Sequence, residues 1–267
     1  MGADFVHLHL HSEYSLLDGA CRLEKVVAEA ARQNMPALAI TDHGVMYGVA
    51  DFYRLARQHG VKPILGAEVY VARRSRFHRQ GQQEESPFHL VLLARDYTGY
   101  QNLLRLVSRA YLEGFYYKPR VDRELLAEHR EGLIALSACL AGEIPALFLK
   151  GREEEAAAAA AWYREVFGPE NFYLELQDHD LAEQKRANRF LIELSRRLDL
   201  PLVATNDVHY LRREDAALHD VLLCIQTGKT LEDSKRLEFP TQEFYFKTPE
   251  EMAALFAEVP EALANTR

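Results

Sequence analysis

His7-Leu8-His9-Leu10-His11-Ser12 closes a short apolar run near the start of the chain. On a strand, successive side chains point to opposite faces, so this spacing predicts His7, His9 and His11 on one side. Neutral imidazole is the commonest side-chain ligand for transition metals, and several on one face of a core strand call for a compensating ion. A lone histidine there would read as a satisfied buried residue. Three in alternation read as the start of a metal site.

Working outward, seven β-like runs alternate with helical patterns: Phe5 to Leu10, Ala37 to Asp42, Pro63 to Ala72, His89 to Ala94, Leu133 to Ala138, Phe172 to Gln177 and Pro201 to Asp207. This rhythm predicts an α/β fold with a mostly parallel sheet or a closed β/α barrel over about residues 1–212. A helical and extended segment over about 213–267 completes a single domain, with Glu238 to Lys247 extended and Pro249 to Leu263 helical. Leu23, Val26, Val27, Ala30 and Ala31 repeat at helical spacing, as does Tyr47 to His59. The alanine block in Glu153 to Trp162 predicts a surface helix. Arg73 to Ser86 is polar and reads as a hairpin loop, and symmetric pairing about its middle sets Glu68 opposite His89. Ala264-Asn265-Thr266-Arg267 carries no stop signal and reads as cut from a longer polypeptide.

A hydrophobic content of 48% supports a sizeable core, while the net charge of −8 disfavours a protein that coats nucleic acid nonspecifically. Any DNA contact must be local. Cys21, Cys139 and Cys224 are far apart and odd in number, which disfavours a disulfide framework and a zinc ribbon. No stretch approaches the roughly 20 apolar residues of a membrane span, and the N-terminus lacks a signal-peptide pattern. The chain reads as cytoplasmic, with no membrane partner.

In a β/α barrel, chemistry collects where the strands end, because the loops leaving them converge there. His9 and His11 end the first run and Asp18 follows. Thr41-Asp42-His43-Gly44 ends the second, Glu68 lies in the third, Cys139 closes the fifth and Asp207-Val208-His209 closes the seventh. His89 begins its run, and only the hairpin brings it near Glu68. His7 is expected to orient a ligand, and His179 to be a surface loop residue. These donors exceed what one ion uses, so several ions are implied. Two ions about 3.5–4 Å apart suit phosphoester hydrolysis. Imidazole, carboxylate and thiolate together favour zinc, manganese or iron over magnesium.

His9-Leu10-His11-Ser12, Thr41-Asp42-His43-Gly44, Gly66-Ala67-Glu68, His89, Leu136-Ser137-Ala138-Cys139 and Asp207-Val208-His209 resemble the motifs of the polymerase and histidinol phosphatase (PHP) domain. Within that superfamily the chain is similar to the form carried by bacterial replicative DNA polymerases of the DNA polymerase III alpha-subunit type. Phe5-Val6-His7-Leu8-His9, Ala37 to Asp42, Gly99-Tyr100-Gln101-Asn102-Leu103 and Pro260 to Thr266 extend the likeness over nearly the whole chain. The resemblance implies a distorted seven-stranded (β/α)7 barrel of PHP type, holding two to three divalent ions, zinc foremost, on His9, His11, Asp18, His43, Glu68, His89, Cys139, Asp207 and His209. It implies a 3′–5′ proofreading exonuclease in which Asp18, His43, Asp207 and His209 carry catalysis and Asp18, Asp42 or a ligand carboxylate manages a proton. Arg73, Arg74, Arg76, Arg79, Lys118 and Arg120 would then guide a DNA primer end, with Tyr116 and Tyr117 placed to stack a base. The implied partners are the remainder of the polymerase chain and replisome subunits. A metal-binding scaffold without catalysis is the competing reading, and a small-molecule phosphatase is a third.

Overall fold

The computed structural model describes residues 5–16, 18–79 and 86–267, so residues 80–85 of the expected hairpin loop lie outside the described residues. The sheet is built from β1 (Ala37–Ile40), β2 (Lys62–Val71), β3 (Phe88–Ala94), β4 (Arg120–Val121), β5 (Leu133–Leu136), β6 (Phe172–Leu176) and β7 (Leu202–Ala204). Its order is β1-β2-β3-β5-β6-β7, with β4 on the β2 edge beyond β1. All neighbours pair in parallel except β3, which is antiparallel to both β2 and β5. That reversal follows from the hairpin connection before it, and it decides where His89 goes. The start of β3 lies at the same rim where the parallel strands end.

The first apolar run is not a ladder-forming strand, yet it closes the ring. The Ala39 and Thr41 amides donate to the carbonyls of His7 and Leu10, and on the other side the His11 amide donates to Val208 and the Val208 amide to His9. A parallel bridge joins Leu10 to Val208. The result is a distorted β/α barrel. Its interior is plugged by Val6, Leu8, Ala37, Ala39, Val91, Leu93, Leu136 and Val203. A larger apolar layer lies between the sheet and the helices, where α1 (Leu23–Arg32) contributes Leu23, Val26, Val27 and Ala30 from one stripe.

Two local expectations are corrected and one holds. In the β2–β3 ladder Glu68 pairs with Val91 and His89 with Tyr70, so the expected register is off by two residues. An even slip preserves the face, and Glu68 still meets His89 diagonally. The alanine-rich helix (Glu153–Phe167) lies on the surface as expected, with Glu153, Glu154, Glu155, Ala158, Ala161 and Glu165 exposed and a stripe of Ala156, Ala159, Ala160, Tyr163 and Phe167 buried. Small side chains there let its backbone approach the barrel closely. The terminal helical stretch is two helices, Pro249–Leu255 and Pro260–Ala264, because a proline lacks the amide needed to continue the first.

Candidate metal centre

At the rim where the first segment, β1, β2, β3, β5 and β7 meet, the ligand-type side chains converge. Glu68 in β2 is the hub: its Oε2 lies 2.6 Å from His43 Nδ1 and its Oε1 lies 2.9 Å from His89 Nδ1. Asp207 Oδ1 lies 3.3 Å from His9 Nε2 and 3.1 Å from His11 Nε2. Asp18 reaches His43 Nε2 at 2.9 Å and His209 Nε2 at 3.8 Å, and Cys139 Sγ stands 4.0 Å from His89 Nδ1. The rings of His11 and His43 stack at 3.9 Å. Three overlapping triads result, with donor atoms within 4.8 Å of one another: His11, His43 and His209; His9, His11 and Asp207; His43, Glu68 and His89.

The tautomers fit a cation. His9 Nδ1 donates to Glu175 Oε1 (2.7 Å), His11 Nδ1 to Ser15 Oγ (3.3 Å) and His209 Nδ1 to the Asp207 carbonyl (2.8 Å). Each ring therefore turns an Nε2 lone pair toward the mouth, the arrangement that outer partners impose on metal-binding imidazoles. His9 Nε2, His43 Nδ1, Glu68 Oε2 and Asp18 Oδ1 are buried without an aligned hydrogen bond despite these close approaches. Buried polar atoms are seldom left so, and a divalent cation would satisfy them.

Without a cation, protons do its electrostatic work. Burial opposes charge on His43, but Glu68 and Asp18 overcome it and push the ring up to about 10. Burial likewise opposes ionisation of Glu68 and Asp207, yet His89 and His43 hold the former, and His9 and His209 the latter, below the usual carboxylate range. His11 is driven down to about 3 by burial and by its neighbours His43 and His209.

Several supports went unread in the sequence. Glu175 also accepts from Gln177 Nε2 (2.8 Å) and Thr205 Oγ1 (2.5 Å), and the available signal was a glutamate inside the apolar strand β6. His219, on the helix Ala216–Thr227, donates from Nε2 to the Asp18 carbonyl (2.7 Å), and its helical stripe gave no local sign of that. Asp42 is not placed to manage a proton. Its carboxylate accepts from the Ser12 amide (2.7 Å), Ser12 Oγ (2.8 Å) and Ser15 Oγ (2.7 Å), clamping the loop that carries His11. Ala138 (φ 61°) and Asp207 (φ 44°) adopt left-handed backbone at the donors, a strain that concentrates at functional sites.

The expected alternation of three histidines fails at its first member. Leu8 belongs to the interior plug, while His9 reaches Glu68 at 3.4 Å on the same inner side, so the phase slips between them. His7 therefore faces outward, edge-on to Phe5 at 4.8 Å, with Nε2 donating to the Lys247 carbonyl (2.9 Å). His179 is buried, not a surface residue. Its Nε2 donates to the Asn206 carbonyl (2.9 Å), its Nδ1 accepts from Gln184 (2.8 Å) and its ring stacks on Phe244 at 3.8 Å. Both nitrogens are used, and burial pushes it down to about 4.

A cleft of about 390 Å³ opens beside the donors, reaching Asp18, His43 and His89 on its floor and Arg73, Arg74 and Lys118 on its wall. Arg73 sits 4.1 Å over the Phe88 ring, Lys118 5.2 Å over Tyr70, and Arg74 and Arg79 are exposed. Arg76 is removed from the set expected to meet DNA, while Arg120 lines the cleft but spends its guanidinium on the fold. Arg76 is buried and donates to Glu113 (2.7 Å), Asp122 (2.9 Å) and Glu124 (3.0 Å), while Arg120 donates to the carbonyls of Gly114, Arg76 and His78. Both tie the hairpin base to the segment around β4. Arg76→Ala leaves the buried Asp122 carboxylate held by the amides of residue 76 and Leu125 but without its charge partner, so urea unfolding is expected to show a loss of about 3 kcal/mol, with the salt dependence of DNA binding unchanged. A variant as stable as the parent would return Arg76 to the rim.

Comparison with known proteins agrees with this geometry. Residues 7–179 match the PHP domain family. The chain is 52% identical over 263 residues to DNA polymerase III subunit alpha of Treponema pallidum, covering 98% of this chain and 22% of that protein. It is 53% identical over 259 residues to DNA polymerase III subunit alpha of Thermus aquaticus, covering 95% and 21%. The chain thus spans about a fifth of the length of these curated relatives. A solved structure described as a metal-dependent phosphoesterase of Bifidobacterium adolescentis superposes with a TM-score of 0.51 at 14% identity, over 78% of this chain and 88% of that one, a likeness of fold. The matched residues contain His9, His11, Asp18, His43, Glu68, His89 and Cys139, and the chain belongs to the PHP domain family.

Proposed function

We propose that the chain is a metal-dependent phosphoesterase module of a replicative DNA polymerase, acting as a 3′–5′ exonuclease on a DNA primer end. The observation that carries the reading is the set of overlapping donor triads opening directly onto a cleft with a cationic wall. His9, His11, Asp18, His43, Glu68, His89, Cys139, Asp207 and His209 would hold two to three divalent ions, and imidazole with thiol favours zinc, manganese or iron over magnesium. When bound, such ions polarise a phosphoryl oxygen and acidify water. Asp18, half-facing the cleft and 2.9 Å from His43 Nε2, is the residue of the chain best placed to take up a proton there. Arg73, Arg74 and Lys118 draw the phosphodiester backbone toward the floor, and Arg79 extends that field along the hairpin. The remainder of a longer polymerase chain and replisome proteins in the cytoplasm are its proposed partners. No helix among the described residues is long and apolar enough to cross a membrane.

The test is metal analysis of freshly purified protein together with hydrolysis of bis-p-nitrophenyl phosphate and of 3′-labelled DNA. More than one transition ion per chain is expected, with hydrolysis abolished by chelation and restored by manganese or zinc. Hydrolysis that is indifferent to the chelator would overturn the reading.

A further inference from the structure

The cleft carries an aromatic device that the metal chemistry does not use. Tyr117 is the apex of a tight turn closed by the Tyr116 amide donating to the Lys118 carbonyl (3.1 Å). Its φ of 60° lies in the left-handed region, where a bulky residue is costly, and its side chain is 67% exposed on the cleft wall. An aromatic ring held in a strained turn and packed into no core gains nothing for the fold. The turn is nevertheless braced. The Tyr116 ring meets Tyr117 edge-on at 4.7 Å, and the buried Arg120 guanidinium lies 5.2 Å from the Tyr116 ring. On the other side of the apex Lys118 stands over Tyr70, whose ring contacts His89 at 5.2 Å. Walking inward, an exposed ring is followed by a cation and then by the donor cluster. A terminal nucleotide presents the same order, as base, phosphate and scissile bond.

We propose that Tyr117 is a stacking platform for the unpaired base at a DNA end, setting the preference of the cleft for single-stranded over duplex termini. This rests on the phosphoesterase reading for its choice of ligand, but base stacking needs no hydrolysis. Every base offers a π-face, so the platform is tolerant of sequence and demands only that the base be out of the helix.

The experiment measures binding of the 267-residue chain to 5′-fluorescein-labelled octathymidylate by anisotropy with a chelator present, so cleavage plays no part. A matched oligomer with an abasic 3′ nucleotide and a blunt duplex are run beside it. Tyr117→Ala should weaken binding of the intact single strand about tenfold or more, the scale of one base–aromatic stack, while Tyr117→Trp retains it. The abasic oligomer and the duplex should bind the parent and Tyr117→Ala alike. Undiminished binding by Tyr117→Ala, equal losses for intact and abasic oligomers, or no binding by the parent would each overturn the proposal. Loss of hydrolysis with this binding pattern intact would instead count against the catalytic reading alone.

Discussion

Asp207→Asn is expected to lower phosphodiester hydrolysis by a hundredfold or more while leaving the circular dichroism spectrum and the bulk of the fold unchanged. Asp207 Oδ1 is within 3.3 Å of His9 Nε2, 3.1 Å of His11 Nε2 and 3.6 Å of His209 Nδ1, so one oxygen serves three imidazoles. Asparagine has the same shape and tolerates the φ of 44°, so packing and backbone survive. It loses the negative charge that a divalent ion requires and turns an acceptor into an amide. Losing one such group in a desolvated site typically costs about a hundred- to a thousandfold. Metal analysis of the variant should fall by at least one ion per chain. Activity within tenfold of the parent would remove Asp207 from the centre, or reveal a contaminating nuclease if His43→Ala behaves the same way.

Restoring manganese or zinc to the stripped protein should raise its melting temperature by roughly 10 °C. A ligand that binds only the folded state stabilises it by about 4 kcal/mol when its free concentration is a thousand times Kd, and a domain of this size gains roughly 2–4 °C per kcal/mol. The basis is electrostatic. Glu68 and Asp207 are buried together, and without a cation they rely on protonated imidazoles such as His43. Cation binding must displace those protons, so uptake should acidify a weakly buffered solution and weaken as pH falls. An unchanged melting temperature over a wide range of metal concentration would show that the donors do not form a site.

The barrel was legible because its staves are short apolar runs separated by helical stripes, a signal that local spacing carries. His9 and His11 were legible for the same reason, and the hairpin register missed by an even number, which left Glu68 and His89 on one face. What was illegible depends on partners distant in the chain. Arg76 looks like any loop arginine until Asp122 and Glu113 close around it, and His179 looks like a polar loop residue until Phe244 covers it. His7 failed because a slip of one residue at Leu8 reverses a face, and no residue type there announces the slip. Asp42 was misjudged because its hydroxyl and amide donors sit in the preceding segment, at Ser12 and Ser15.

The bridge from Leu10 to Val208 has a consequence for biosynthesis. The stave that His9 and His11 must join is translated about 200 residues after them, roughly 10–40 s at typical elongation rates. For that interval the growing polypeptide has an open ring and an unfinished coordination cage. Metal uptake on the proposed donor set would therefore await ring closure, and a nascent chain arrested before His209 should emerge with fewer ions than the finished one.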